Sequence, residues 1–301
     1  MLIELIKSII LGVVEGITEW LPVSSTGHLI LFKDLMGFDV SSEFWDMFMV
    51  VIQLGAILAV CVMYFHRLNP LSPRKSASEK RATWNLWGKV IVAVIPAAVV
   101  GLLINDWMEA HLQTSQVVAS MLVLYGIIFI LLEHHNRKLE HAAAPGAHSA
   151  EAAQPPKGVI DRHHNSIATC EDMSYKTALG IGLFQLLSII PGTSRSGATI
   201  LGGVVLGCKR EAAAEFSFFL AIPVMVGASL LRIVQYIHGG NVLSTDEAII
   251  FAVAIVVSFV VSILAIRFLL RYVQTNDFAA FGWYRIIVGV AILAYFGIFA
   301  L

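Results

Sequence analysis

Long apolar runs alternate with short polar connections along this 301-residue chain. Crossing the hydrocarbon core of a bilayer as a helix takes about 20 mostly apolar residues. Six runs come close to that length, and each can extend by a turn into its flanks. They are 48–65, 90–104, 116–132, 216–231, 248–266 and 286–301. The pattern predicts an all-α, polytopic bundle of membrane-spanning helices.

Two further apolar regions, 9–32 and 178–207, are interrupted near the middle by proline, glycine and hydroxyl residues. One offset pairs Gly12 with Gly182, Glu15 with Gln185, Thr18 with Ser188, Gly27 with Gly197 and Leu31 with Leu201. The shared Pro-x-x-Ser-x-(x)-Gly break indicates an internal duplication. We therefore divide the single transmembrane domain 1–301 into repeats 1–133 and 176–301, joined by a linker, 134–175.

Helix breaks at membrane depth are tolerated where the freed backbone groups are buried in protein or line a wet cavity. In repeat-built transporters, paired broken segments meet near the midplane and direct helix N-termini at anions. A pair of simple packing kinks is the alternative interpretation. Kinks alone do not require the hydroxyl residues found here, which are Ser24, Ser25, Thr26, Ser194 and Ser196.

Composition supports a membrane setting. Hydrophobic residues make up 57% of the chain and charged residues 14%, against about 25% charged in soluble domains. The net charge of −1 offers no basic excess for nucleic acid. The three cysteines lie far apart without a C-x-x-C spacing, so neither a disulfide framework nor a zinc site is predicted. The N-terminus lacks the basic region and cleavage site of a signal peptide.

The distribution of Lys and Arg predicts the orientation of the chain. Connections 66–87 and 134–175 carry five and four of these residues, whereas 105–115 and 239–247 carry none. Basic loops remain in the cytoplasm, so the first two connections are predicted to be cytoplasmic and the other two external. Residues 141–158 are rich in Ala, Pro and polar residues, and this predicts that the linker is disordered.

Ionisable residues inside the interrupted regions are the candidates for chemistry. Glu15 and Glu19 are four apart, which places them on one helix face. Such groups are costly in an apolar segment and are functional by default. An exposed, solvated pair at the membrane interface is the alternative. The nearby Ser24, Ser25 and His28 favour a reactive site.

Arg195 is the only charged residue in 178–207, and glycines and serines flank it. Glycines let backbone N–H groups approach an anion, and the segment after them is predicted to begin a half-helix whose N-terminus favours negative charge. The planar guanidinium fits phosphate. A structural ion pair with Glu15 or Glu19 is the alternative, and the two interpretations are compatible.

Glu15-Gly-Ile-Thr-Glu-Trp-Leu-Pro-Val-Ser-Ser-Thr-Gly-His28, together with Pro191-Gly-Thr-Ser-Arg-Ser-Gly197, resembles the two signature motifs of the bacitracin-resistance-type undecaprenyl-diphosphatases. The resemblance covers nearly the whole chain. The Ala/His-rich connection 134–175 departs from the family by its length.

The resemblance implies hydrolysis of undecaprenyl diphosphate to undecaprenyl phosphate, which recycles the lipid carrier of cell-wall glycans and confers bacitracin resistance. It also implies an inverted-topology repeat with two re-entrant hairpins in the bacterial plasma membrane, an active site open to the periplasm, and a divalent cation, Mg²⁺ or Ca²⁺. Carried over by position, the functional residues are Glu15, Glu19, Ser25, His28 and Arg195. Ser24, Thr26, Ser194 and Ser196 are expected phosphate contacts, and Glu15 and Glu19 are the expected metal ligands.

Several alternatives stay open at this level. Ser25 is the preferred nucleophile, with Glu19 or His28 as its base, but attack by His28 or by a metal-activated water also fits. A histidine-type lipid phosphatase is disfavoured because no Lys-x6-Arg-Pro motif precedes His28. A transporter or flippase for an anionic polyprenyl lipid is the rival from another class. The sequence allows a homodimer without indicating one.

Overall fold

The computed structural model describes residues 2–112, 114–143 and 166–299, which are helical apart from short connections. The first half contains α1 (Leu2–Thr18), α2 (Ser25–Met36), α3 (Ser42–Val51), α4 (Gln53–Met63), α5 (Phe65–Leu68), α6 (Ala77–Leu112) and α7 (Ser115–Ala143). The second half contains α8 (Tyr175–Gln185), a 3₁₀ turn (Leu186–Ile189), α9 (Arg195–Val205), α10 (Arg210–His238), α11 (Thr245–Thr275) and α12 (Ala279–Phe299). No strand occurs within the described ranges, so the all-α prediction is confirmed.

Five helical stretches in the described part of the chain are long and apolar enough to cross a membrane. They are Ser42–Met63, Ala77–Ile104, Ser115–Lys138, Arg210–His238 and Thr245–Thr275. A further apolar helix, Ala279–Tyr295, is shorter. Each of the six predicted runs overlaps one of these stretches. Large apolar side chains such as Leu102 and Leu264 point outward, as lipid-facing surfaces require. The chain is a multi-pass membrane protein.

The two halves repeat one order of elements. Helix pairs α1–α2 and α8–α9 flank the two breaks, α3–α4 and α10 follow them, and long helices α6–α7 and α11–α12 close each half. Helices of each half pack against helices of the other half: α1 lies against α11, α8 lies against α6, and α7 packs along α12. This order supports the predicted duplication. The opposite membrane orientation of the repeats and the re-entrance of the helix pairs stay predictions.

Two glycines paired by the sequence occupy equivalent packing positions. A Cβ on Gly12 of α1 or on Gly182 of α8 would come closer than 3.0 Å to a backbone carbonyl oxygen, that of Ala254 in α11 or of Ala93 in α6. Only glycine lets these helices approach so closely. The first helix of each half is thereby held against a long helix of the other half.

The linker differs at both ends from its predicted extent. Helix α7 continues through Ala143, because the polar run after residue 133 still favours a helix. At the other end, Ile167 exchanges backbone hydrogen bonds with Gly207 and Lys209, and Lys89 donates to the carbonyl oxygen of Cys170 at 3.0 Å. The disorder predicted for 134–175 therefore does not extend to its ends. Residues 144–165 lie outside the described residues.

Aromatic side chains form the core beside the first break. Trp20 is fully buried and meets Phe218 of α10 edge-to-face, with ring centroids 5.1 Å apart. Tyr64 meets Phe219 in the same manner at 5.0 Å. These contacts add to the area burial of large rings and hold α10 against the segment that follows α1 and against the end of α4.

Candidate active site

Both breaks end in the same strained turn. Ser24 and Ser194 each have φ of 74°, and they are the two non-glycine residues with positive φ in the described ranges. The side chain of Ser24 caps α2 by accepting from the N–H of Gly27 at 3.4 Å, and that of Ser194 caps α9 by accepting from Gly197 at 3.1 Å. Such strain costs about 1–3 kcal/mol per residue and is typical of active sites.

Glu19 connects the two predicted motifs. One of its carboxylate oxygens, Oε2, accepts from the hydroxyl of Ser25 at 2.6 Å. The other, Oε1, accepts from Nη2 of Arg195 at 3.0 Å. Arg195 also donates through Nη1 to the carbonyl oxygen of Ser217 at 2.8 Å. The proposed nucleophile, base and phosphate clamp therefore form one buried, hydrogen-bonded chain of side chains.

Helix α1 ends at Thr18, so Glu19 lies just beyond the helix on which the sequence placed it. Its N–H still donates to the carbonyl oxygen of Glu15 at 3.0 Å, which continues the helical bonding by one residue. Both carboxylates are buried, Glu15 completely and Glu19 to all but 4%. The solvated-pair interpretation is therefore wrong.

The remaining predicted phosphate contacts have different surroundings. The hydroxyl of Ser196 lies 2.9 Å from the carbonyl oxygen of Glu19 and 3.2 Å from the hydroxyl of Ser194, so it joins the two motifs. Thr26 is half-buried and lines a cavity of about 320 Å³ together with Ser188 and Pro191. Thr26 therefore has access to an open cavity.

His28 is held at both ring nitrogens. Nδ1 lies 2.7 Å from the carbonyl oxygen of Ser24, and Nε2 lies 2.9 Å from the hydroxyl of Tyr284, whose ring stacks on the imidazole. A carbonyl only accepts, so Nδ1 carries the proton and Nε2 of the neutral ring accepts from Tyr284. His28 makes no hydrogen bond to Ser25. The geometry favours Glu19 as the base for Ser25.

Glu15 is the group best suited to a cation. Neither of its carboxylate oxygens has a hydrogen-bond partner among the described residues, and a fully buried carboxylate needs a proton or a cation. Among the described residues, no group of three or more His, Cys, Asp or Glu side chains is arranged to hold a metal ion by itself. A cation at Glu15 and Glu19 would take its other ligands from phosphate and water, which is the usual environment of Mg²⁺. The unpartnered carboxylate oxygens of Glu15 fit such an ion.

Gln185, the repeat partner of Glu15, shares its environment. Gln185 is buried, and both polar atoms of its amide lack a partner among the described residues. The two equivalent positions thus hold buried polar groups with unused hydrogen-bonding capacity. Only the one in the first repeat can ionise.

Arg285 is the principal residue that the sequence interpretation missed. It is fully buried in α12 and donates to the carbonyl oxygens of Pro22, Gly192 and Thr193. A lone arginine in an apolar helix is a signal of function. Arg285 was not recognised as a charge inside an apolar helix because the predicted span began at residue 286. Tyr284 was missed for the same reason.

Together, the fold and this site define a polytopic membrane protein with a buried serine–carboxylate–arginine centre built from two similar halves. Residues 8–291 match the family described as Bacitracin resistance protein BacA. The chain belongs to this family.

Curated relatives align with this chain over nearly the full length of both proteins. The undecaprenyl-diphosphatase of Lactiplantibacillus plantarum is 52% identical over 296 residues, which cover 98% of this chain and 98% of that protein. That of Limosilactobacillus fermentum is 52% identical over 299 residues, covering 99% and 100%. That of Enterococcus faecalis is 50% identical over 289 residues, covering 96% of each. The family resemblance expected from the two motifs is confirmed.

Proposed function

We propose that this chain hydrolyses undecaprenyl diphosphate to undecaprenyl phosphate and inorganic phosphate, which recycles the carrier of cell-wall glycans and confers bacitracin resistance. The observation that carries the proposal is the 2.6 Å hydrogen bond from Ser25 to Glu19, whose other oxygen holds Arg195. A transporter that only binds its lipid has no use for a serine activated by a carboxylate. Relatives named undecaprenyl-diphosphatase, aligned along the full chain, support the same activity.

The geometry supports covalent catalysis by Ser25. Its Oγ attacks the terminal phosphorus, Glu19 takes the hydroxyl proton, and the bond between that phosphorus and the leaving undecaprenyl phosphate breaks. Water then attacks the phosphoserine, Glu19 returns its proton to the Ser25 oxygen as the bond between that oxygen and phosphorus breaks, and inorganic phosphate leaves with both protons of the water. Arg195 stabilises charge on the phosphoryl oxygens in both steps. Attack by His28 is disfavoured because both of its ring nitrogens are already hydrogen-bonded.

The charge of the site with substrate bound is the reason to propose a divalent cation. Two buried carboxylates, Glu15 and Glu19, lie near one guanidinium group, Arg195, which pairs with Glu19, so the site has no excess positive charge before substrate arrives. A diphosphate adds negative charge that these residues do not balance. A cation held by the two glutamates would neutralise it, and Mg²⁺ or Ca²⁺ suits their oxygen ligands.

The site opens towards the predicted external side in this proposal. The cavity that Thr26 lines is also bordered by Met108 and Arg232, near the connections that lack Lys and Arg. The basic connections are cytoplasmic by the positive-inside rule. The reaction therefore takes place at the periplasmic face of the bacterial plasma membrane, where the polyprenyl chain of the substrate stays in the bilayer.

Phosphate release by the purified chain in detergent tests this function. Wild-type protein should release phosphate from undecaprenyl diphosphate, and Ser25→Ala should lose nearly all activity. Ser8→Ala is the matched control, because Ser8 is also buried but bonds only within α1, to the carbonyl oxygen of Leu5. No phosphate release by folded wild-type protein, with lipid movement in vesicles instead, would favour the transporter.

A further inference from the structure

Arg285 lies where the two breaks meet. Its Nη1 donates to the carbonyl oxygen of Pro22 at 3.0 Å, in the first break. Its Nη2 donates to the carbonyl oxygens of Gly192 and Thr193, at 3.0 and 2.9 Å, in the second break. One guanidinium from α12 therefore bridges the backbones of both repeats.

No ion-pair partner accompanies this charge in the described part of the chain. Arg285 is fully buried, and its guanidinium carbon lies 5.5 Å from the centre of the Tyr125 ring. A buried cation without a carboxylate is costly, and backbone carbonyls compensate it only when they are free of helical bonding. The two breaks supply such carbonyls. The burial of Arg285 is therefore explained by its hydrogen bonds to the two breaks.

We propose that Arg285 is a positioning residue that sets the distance between the nucleophile segment and the phosphate-clamp segment, an inference that rests on the proposed function. Pro22 is two residues before Ser24, and Thr193 directly precedes Ser194. The strained turns at these serines persist only when their surroundings fix them. Arg285 fixes both turns from one point, so Ser25 and Arg195 keep their relative placement.

The planar fork of arginine is essential to this role. Two separate nitrogens reach carbonyls in two different segments, whereas the ammonium of lysine is a single point of charge. Space around the fork is limited, since a Cβ on Gly197 would lie 3.2 Å from Nη1. Arg285→Lys therefore keeps the charge and loses the bridge, which separates positioning from electrostatics.

Steady-state kinetics give the first readout. Displacement of reacting groups by about 1 Å can cost on the order of 10²-fold in rate. Arg285→Lys should lower kcat for phosphate release at least about tenfold and change KM by less than about threefold, because substrate binding is retained while alignment is lost. Arg210→Lys is the matched control, since Arg210 is also largely buried but pairs with Glu133 away from the breaks.

Hydrogen–deuterium exchange of the full chain in detergent gives a readout that needs no catalysis. In Arg285→Lys, amides of both 19–24 and 190–195 should exchange faster, while Arg210→Lys leaves both segments unchanged. If wild-type protein releases no phosphate, the proposed function fails. The exchange measurement still tests whether Arg285 links the two breaks, because it does not depend on activity. Unchanged exchange, a change in one segment only, or kcat within about twofold of wild type overturns the proposal. Aggregation of Arg285→Lys also overturns it, because Arg285 would then be a folding residue.

Discussion

The guanidinium of Arg195 lies 3.0 Å from Oε1 of Glu19, although 176 positions separate the two residues in the chain. Both side chains are almost fully buried, with 10% and 4% of the side-chain surface exposed. The ion pair that the sequence allowed as an alternative therefore exists, and it joins the two motifs. It also holds Arg195 next to Ser25, where an incoming phosphate would compete with Glu19 for it.

Replacing Arg195 by lysine tests the clamp. Lysine keeps the charge but lacks the bidentate fork, so Arg195→Lys should lower kcat/KM at least about tenfold, equivalent to about 1.4 kcal/mol. Phosphate release by the purified variant measures this. Arg267→Lys, at an exposed position of α11, should behave as wild type. Near-normal turnover of Arg195→Lys would show that charge alone suffices.

The buried pair Glu15 and Gln185 tests the division of labour between the repeats. Glu15→Gln should lose part of the activity and recover some of it at higher Mg²⁺ or Ca²⁺, because a metal ligand is lost while Glu19 remains. Gln185→Ala should retain substantial activity, and Glu19→Gln should lose nearly all of it. Cation titrations of phosphate release measure these effects. A loss of activity in Glu15→Gln that does not depend on cation concentration would contradict the role of Glu15 as a metal ligand.

The contact between His28 and Tyr284 leads to a graded prediction. Tyr284→Phe removes the hydroxyl donor and keeps the stacked ring, so activity should fall by about two- to tenfold, the value of one hydrogen bond of about 0.5–1.5 kcal/mol.

The identity of the nucleophile can be tested directly. Mass spectrometry of rapidly quenched protein should find phosphate on Ser25. If Ser25→Ala stays active while His28→Ala is dead, with phosphate on His28, histidine is the nucleophile.

Cysteine labelling from outside the cell tests the orientation. A membrane-impermeant maleimide should modify Val242→Cys but not Ser76→Cys, and the opposite pattern would reverse the predicted topology. Native thiols interfere little near neutral pH. Burial raises the pKa of Cys208 to about 12 and raises that of Cys170 well above its ordinary value, so the reactive thiolate is scarce. Cys61 is replaced by serine in the labelling background.

The exchanged packing of the two halves can be tested through stability. Gly182→Ala forces a methyl group against the carbonyl oxygen of Ala93, and such overpacking costs typically about 1–3 kcal/mol. The thermal midpoint of the variant in detergent should fall accordingly. Gly227→Ala is the control, since a Cβ there meets no atom within 4 Å and alanine favours a helix. Equal midpoints for both variants would argue against close contact of α8 with α6.

Much of the fold follows from local pattern. The six predicted runs correspond to helices because length and apolarity are properties of contiguous sequence, and bilayer thickness sets their scale. Boundaries were less accurate. The predicted span 286–301 started seven residues late relative to α12, which begins at Ala279. Because of this error, Arg285 and Tyr284 lay outside the predicted span. A charge at the edge of an apolar run is then interpreted as an interfacial residue.

The sequence by itself determined the membrane setting, the paired breaks and the residue types of the site, since each is a matter of local composition and spacing. Tertiary structure alone decided which partners meet. Ser25 has Glu19 as its partner and His28 has Tyr284, while Arg285 reaches across to both breaks. These contacts depend on how α1, α2, α12 and the two breaks pack together. Side-chain hydrogen bonds form over about 3 Å, a distance that spacing along a chain does not fix.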